Sequence, residues 1–163
     1  MSESLDPKFF RTVMGQVPTC VTIVTAMVDE RPQAMVIGSF VSVSLAPPLA
    51  GFFCTSTSGT WAELKKADVM GVNVLAADQT DVSNACMRVP DERLNGLDWE
   101  VVDGAPRLGG TTAWLTLTPH QVIEAGDHEF ALCNVTSIEA ADPQKEPVIF
   151  YGGGYRTLEA RQG

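Results

Sequence analysis

The chain has 163 residues, 45% hydrophobic and 19% charged, which is long enough to bury a sizeable core and too apolar to stay disordered. Its net charge of -9 and pI of about 4.5 come without any basic stripe, which argues against a nucleic-acid partner and against an anionic membrane surface. Cys20, Cys54, Cys86 and Cys133 stand far apart with no C-x-x-C pair, so they read as reduced core thiols rather than metal ligands.

The N-terminus, MSESLDPKFF, has no basic and no apolar targeting region, and no apolar run approaches a membrane span, so a cytoplasmic protein is expected. Asp6 before Pro7 predicts an N-cap and first helical position. Phe9, Phe10, Val13 and Met14 then recur at helical spacing until Gly15 and Pro18. Residues 20–28, rich in β-branched side chains, predict a strand. Asp29 to Pro32 predicts a turn, and 33–37 the returning partner.

A polar crossing at Gly38-Ser39 leads into a second extended run, 40–45, stopped by Pro47-Pro48. Here Ser39, Ser42 and Ser44 alternate with apolar residues, giving a shelf of small polar groups beside a greasy floor. Such a shelf suits a flat polar ligand held by its edge. The plainer alternative is a strand pair with serines facing water.

Residues 49–54 predict a short buried strand, and the hydroxyl run Thr55 to Thr60 precedes a helix over 61–66. That run suits an anion cradle, or equally an N-cap at Ser58 or Thr60 with Glu63 closing a capping box from Thr60. Further strands are expected over 69–75, which contains Asn73, and over 99–102, 111–117, 121–125, 129–138 and 147–151. Asp78 to Asp81 offers caps for a helix through Met87, and 88–97 reads as a loop. Gly104-Ala105-Pro106 predicts a turn, and Pro119 a strand edge or bulge. Gly126-Asp127-His128 predicts another turn, and Gly152 to Gly154 a flexible stretch before Tyr155-Arg156. The chain shows no repeat or linker. One domain over 1–163 is expected, mostly β with small helices and closed as an antiparallel barrel.

Reactive groups are scarce. There is no G-x-S-x-G elbow, no phosphate-binding glycine loop and no metal-spaced cluster. Of two histidines, His120 reads as a surface residue after a proline. His128 could be oriented by Asp127 or could simply occupy a hairpin turn. An enzyme built this way needs a cofactor to bring the reactivity.

The sequence resembles the flavin reductase-like family, the reductase components of two-component flavin monooxygenases. The matching residues are Phe10-Arg11, Pro18-Thr19-x-Val21-Thr22-x-Val24-Thr25, Ser39-Phe40-x-Ser42-Val43-Ser44-Leu45-x-Pro47-Pro48-Leu49 and Val72-Asn73-Val74-Leu75. Gly104-x-Pro106-x-Leu108, Gly126-Asp127-His128 and Tyr151 with Tyr155 complete the set, over about residues 8–158. The resemblance implies an FMN-binding split β-barrel of antiparallel Greek-key type, usually a homodimer. It implies hydride transfer from NAD(P)H to FMN or FAD, and release of reduced flavin to a separate monooxygenase. Met35, Val36, Ile37 and Ser39 would line the isoalloxazine and ribityl, with Ser42, Val43 and Ser44 adding backbone and hydroxyl contacts. Ser56, Ser58 and Thr60 would hold the phosphate. His128, as the catalytic residue, and Tyr155 would lie near the nicotinamide, with Arg156 and Arg93 as anion partners. The chain departs from the family pattern at Cys20, where glycine is common, and at Val36, where threonine is. No arginine cluster suits a 2′-phosphate, which favours NADH over NADPH. The competing readings are a non-catalytic flavin carrier or redox sensor on the same barrel, and a barrel holding some other apolar ligand.

Overall fold

The computed structural model describes residues 6–140 and 144–158. The first helix, α1 (Pro7–Met14), starts as expected: the Asp6 carboxylate accepts the Lys8 and Phe9 N–H groups, both at 3.2 Å. Strands β1 (Thr19–Cys20), β2 (Thr22–Val28), β3 (Arg31–Ile37), β4 (Val41–Leu45) and β5 (Pro48–Thr55) follow, then α2 (Gly59–Leu64) and β6 (Met70–Val74). Next come α3 (Thr80–Cys86), a 3-10 turn (Pro90–Glu92), β7 (Trp99–Val102), β8 (Ala105–Leu108), β9 (Ala113–Ala125), β10 (His128–Ala140), β11 (Ile149–Tyr151) and β12 (Gly154–Arg156). No helix among the described residues is long and apolar enough to cross a membrane.

The main sheet runs β3-β2-β6-β9-β10-β5-β4, every neighbour antiparallel. It curls round a core of Val24, Phe52, Trp61, Leu64, Met70, Val72 and Leu117. A second core of Val21, Ile23, Leu75, Cys86, Leu108 and Val148 joins β2 and the end of β6 to α3, β8 and the start of β11. This is a split β-barrel, and its wall is not one closed ladder. Between β3 and β5 the join is made by side chains: the Ser39 hydroxyl accepts the Phe53 N–H at 2.9 Å and donates to the Phe53 carbonyl at 3.3 Å, and Met35 Sδ lies 3.9 Å from Cys54 Sγ.

Local chemistry explains where the expectations needed correcting. Ser58, not Thr60, caps α2, accepting the Trp61 N–H at 3.2 Å, and Glu63 pairs with Lys66 instead of closing a capping box. The N-cap of α3 is Gln79, whose side chain is drawn away to the Ala76 N–H and the Gly109 carbonyl. Pro106 lies within β8, while the turn sits one step earlier at Asp103-Gly104, both with positive φ. Gly152 and Gly153, also at positive φ, form a tight turn between β11 and β12 rather than a flexible stretch. Pro119 does mark a bulge. Leu132 faces Gln121 and Cys133 faces Pro119, leaving His120 with no residue opposite.

Candidate functional site

The residues singled out above fall along and around β3, which is an edge strand of the main sheet. Met35 and Ile37 turn inward against the barrel core, while Val36 turns outward into the second core beside Tyr155. Gly38 is exposed, so the strand end presents backbone there. Ser39 is half-buried, with its hydroxyl committed to β5.

The shelf continues on β4, where the alternation is broken by a bulge. Ser42 pairs with Ala50 and Ser44 with Leu49, so Val43 has no residue opposite. A bulge re-aims the side chains around it. Ser42 and Val43 are exposed and Ser44 half-buried, and neither serine hydroxyl has a hydrogen-bond partner among the described residues.

The hydroxyl run starts at the last residue of β5, crosses the loop and enters α2, a helix of only six residues. Ser56 is tied across to the β9–β10 hairpin: its N–H and its hydroxyl both donate to the Asp127 carbonyl, at 3.1 and 3.0 Å. Thr60 Oγ1 accepts from Arg93 Nη1 at 2.8 Å, and the same Nη1 donates to the Ala34 carbonyl of β3 at 2.7 Å. Arg93 Nε donates to the Arg88 carbonyl at 2.9 Å. Arg93 follows the 3-10 turn started by Pro90, which delivers it to the open edge of β3. Partial burial pulls this guanidinium below its usual value.

His128 sits at the same end. Its Nδ1 lies 2.7 Å from Asp127 Oδ1 and its Nε2 3.5 Å from Thr55 Oγ1. An ionised carboxylate only accepts, so Nδ1 carries the proton and the tautomer is set. The bond to His128 holds the Asp127 carboxyl below its ordinary range.

Tyr155 lies elsewhere, across the strand. Its hydroxyl reaches Ser83 Oγ at 2.9 Å and Asn84 Oδ1 at 3.4 Å on α3, and its ring meets Phe150 edge-on. Tyr155, Phe150, Met87, Val36, Cys20 and Gly38 line an apolar pocket of about 220 Å³. Arg156 is exposed and donates to the Tyr155 carbonyl.

Within this one chain, then, Ser56 and His128 meet through Asp127, Thr60 meets Arg93, and Val36 meets Tyr155. His128 and Tyr155 do not meet among the described residues. Sequence reasoning missed Met87 and Phe150 as pocket walls, and Thr55 as the second neighbour of His128. Only the hydroxyl run pointed toward Thr55, and no periodicity pointed toward the other two.

Residues 14–159 match the family model described as a flavin reductase like domain. The chain is 37% identical over 154 residues to a flavin reductase of Pseudomonas putida, covering 93% of this chain and 90% of that one. It is 36% identical over 159 residues to HsaB of Rhodococcus jostii, the reductase subunit of a flavin-dependent monooxygenase, covering 97% and 81%. The solved NADH:FAD oxidoreductase SgcE6 of Streptomyces globisporus, in complex with NAD and FAD fragments, superposes with a TM-score of 0.91 at 30% identity, covering 99% of this chain and 100% of that one. With the barrel, the serine shelf and the Gly-Asp-His turn in their expected order, this chain belongs to the flavin reductase-like family.

Proposed function

We propose that the chain is an NADH-dependent flavin reductase that passes a hydride from nicotinamide to FMN or FAD and releases the reduced flavin to a separate flavin-dependent monooxygenase. The observation that carries this reading is the layout along the edge of β3. At Gly38 the strand end is bare backbone beside an apolar pocket. Four residues back, at Ala34, it meets a cation without a carboxylate partner among the described residues, Arg93. Four strand residues span roughly 13 Å. That separation suits a flat ring joined to a phosphate by a short sugar chain.

When bound, the flavin supplies the redox chemistry that no side chain here can. The chain's own residues orient it and keep water away. Gly38 would leave room for a ring edge, Val36 would supply apolar surface beside it, and Thr60 and Arg93 would hold the anionic end. His128, its tautomer fixed by Asp127, presents Nε2 beside Thr55 at the end of β5. The relatives' activities and the solved NAD and FAD fragments support nicotinamide and flavin as the pair of ligands. The reductase-subunit relative supports an oxygenase partner.

We also propose a cytoplasmic homodimer forming one folding unit per chain. Val41, Val43 and Phe53 are over two-fifths exposed and Leu45 is 91% exposed, apolar surface on β4 and β5 that a second copy would cover. Sedimentation should give twice the 17.5 kDa chain mass. The functional test is NADH oxidation followed with added FMN or FAD. Turnover well above the free-flavin background is expected; a rate equal to that background leaves only a flavin-binding module.

A further inference from the structure

His128 opens β10 at the tip of a hairpin. Ala125 pairs with His128, so Gly126 and Asp127 make a two-residue turn, with Gly126 at a φ of 68°. Positive φ at the first turn position alone is the type II′ pattern, which glycine suits. This tip has little to lean on. A side chain at Gly126 would meet only open space, and the Asp127 side chain is 91% exposed. The tip is instead held by Ser56, the residue after β5. Ser56 gives both its N–H and its hydroxyl proton to the Asp127 carbonyl, at 3.1 and 3.0 Å. The N–H bond prolongs the β5–β10 ladder one step beyond the Thr55–His128 pair. The hydroxyl adds a second donor to an oxygen that already has one.

That oxygen belongs to the peptide joining Asp127 to His128. A peptide unit moves as a plane. Its orientation sets Asp127 ψ and His128 φ, the two backbone angles that lie between the carboxylate and the imidazole. Two donors on the carbonyl therefore fix where Asp127 Oδ1 stands relative to His128 Nδ1, 2.7 Å away. With the proton on Nδ1, Nε2 keeps its lone pair and faces the Thr55 hydroxyl at 3.5 Å. A contact that long is weak and yields to a better donor.

We propose that Ser56 is a positioning residue for His128. By clamping the Asp127–His128 peptide it keeps Nε2 an acceptor, which receives an amide N–H of the nicotinamide carboxamide. This rests on the flavin-reductase reading above, with His128 beside the nicotinamide as the family resemblance implies. It gives Ser56 a different task from the phosphate contact that the same resemblance implies, since its hydroxyl proton is already spent on the hairpin.

The test compares the full chain with Ser56→Ala and Ser56→Thr; Ser56 is exposed, so both variants should fold. Long-range 1H–15N NMR spectra of the imidazole rings at about pH 8, above the ordinary histidine value, report which nitrogen carries the proton. The chain has two histidines, and His120, with no residue opposite it in the ladder, serves as the internal reference. Wild type should hold His128 as the Nδ1–H form. In Ser56→Ala the Nε2–H form should gain by roughly two- to tenfold, the range of one neutral hydrogen bond, while His120 is unchanged. The same variant should lose about two- to tenfold in kcat/KM for NADH, with its FMN dissociation constant within about twofold of wild type. Ser56→Thr keeps the hydroxyl and should restore both. An unchanged His128 tautomer or an unchanged kcat/KM in Ser56→Ala overturns the proposal. So does a variant that loses FMN affinity and keeps riboflavin affinity, which would make Ser56 a phosphate ligand. Each of these failures leaves the reductase reading standing, whereas wild type with no NADH turnover overturns both.

Discussion

Asn73→Leu should be among the most damaging single changes outside the site. Asn73 is fully buried on β6. Its Oδ1 accepts the Leu108 N–H at 2.7 Å, and its Nδ2 donates to the Ile23 carbonyl at 3.1 Å, with longer contacts to Thr25 Oγ1 at 3.3 Å and the Pro106 carbonyl at 3.5 Å. The amide therefore fastens β8 onto β2 and β6. Leucine has nearly the same shape and can make none of these bonds. The buried Leu108 N–H would be left unpaired at ~1–3 kcal/mol, and the Ile23 carbonyl, which faces Asn73 in the β2–β6 ladder, would lose its side-chain donor. A loss of about 2 kcal/mol is expected. For a domain of this length that lowers Tm by roughly 4–8 °C. Urea unfolding followed by tryptophan fluorescence should show a lower midpoint with an unchanged slope. A loss below about 1 kcal/mol would mean that water or a backbone shift re-pairs these groups, and the idea of Asn73 as a fastener would fall.

Glu30→Gly should stabilise the fold by about 1 kcal/mol, since Asp29 and Glu30 turn the β2–β3 hairpin at φ of 49° and 61°, where glycine is free of the side-chain penalty; an unchanged or lower Tm in a thermal melt would contradict this. The Trp61 indole N–H, the first cause, and Lys65 hold the Glu129 carboxyl below its ordinary value. A depressed carboxyl stabilises the fold above its unfolded value, near pH 4, and the contribution fades as pH falls through the folded value. Trp61→Phe should therefore move the Glu129 carboxyl resonance in an NMR titration back toward the ordinary range, and no movement would show that the indole is not the cause. Burial pushes Cys54 to about 12 and Cys86 and Cys133 to about 11, whereas Cys20 is raised less and is half-buried. Ellman's reagent on the native protein at pH 8 should thus react with Cys20 first, and rapid reaction of two or more thiols would refute the burial argument.

The strands were legible because their signals are local. Residues 20–28 and 129–138 carry enough β-branched residues to declare themselves, and Asp6-Pro7 announces the first helix in two residues. The serine shelf and the Gly-Asp-His turn were legible as motifs. What stayed hidden depends on partners far away in sequence. Ser58 and Thr60 were equal candidates for the cap, and the choice of Ser58 goes with Thr60 being engaged by Arg93, 33 residues on. Gln79 abandons its own helix for Gly109, 30 residues on. The bulge at Val43 depends on how β4 registers against β5, which no alternation within one strand can report. The Arg93–Thr60 meeting is of the same kind, since a loop arginine carries no periodicity to say where it lands.

The side-chain join at Ser39 has a mechanical consequence. Elsewhere the wall is laced by backbone ladders whose rungs open together or not at all. Here a single hydroxyl and a sulfur contact hold two edges that otherwise touch only through side chains. These two edges can therefore part at the seam while the rungs of the neighbouring ladders stay shut.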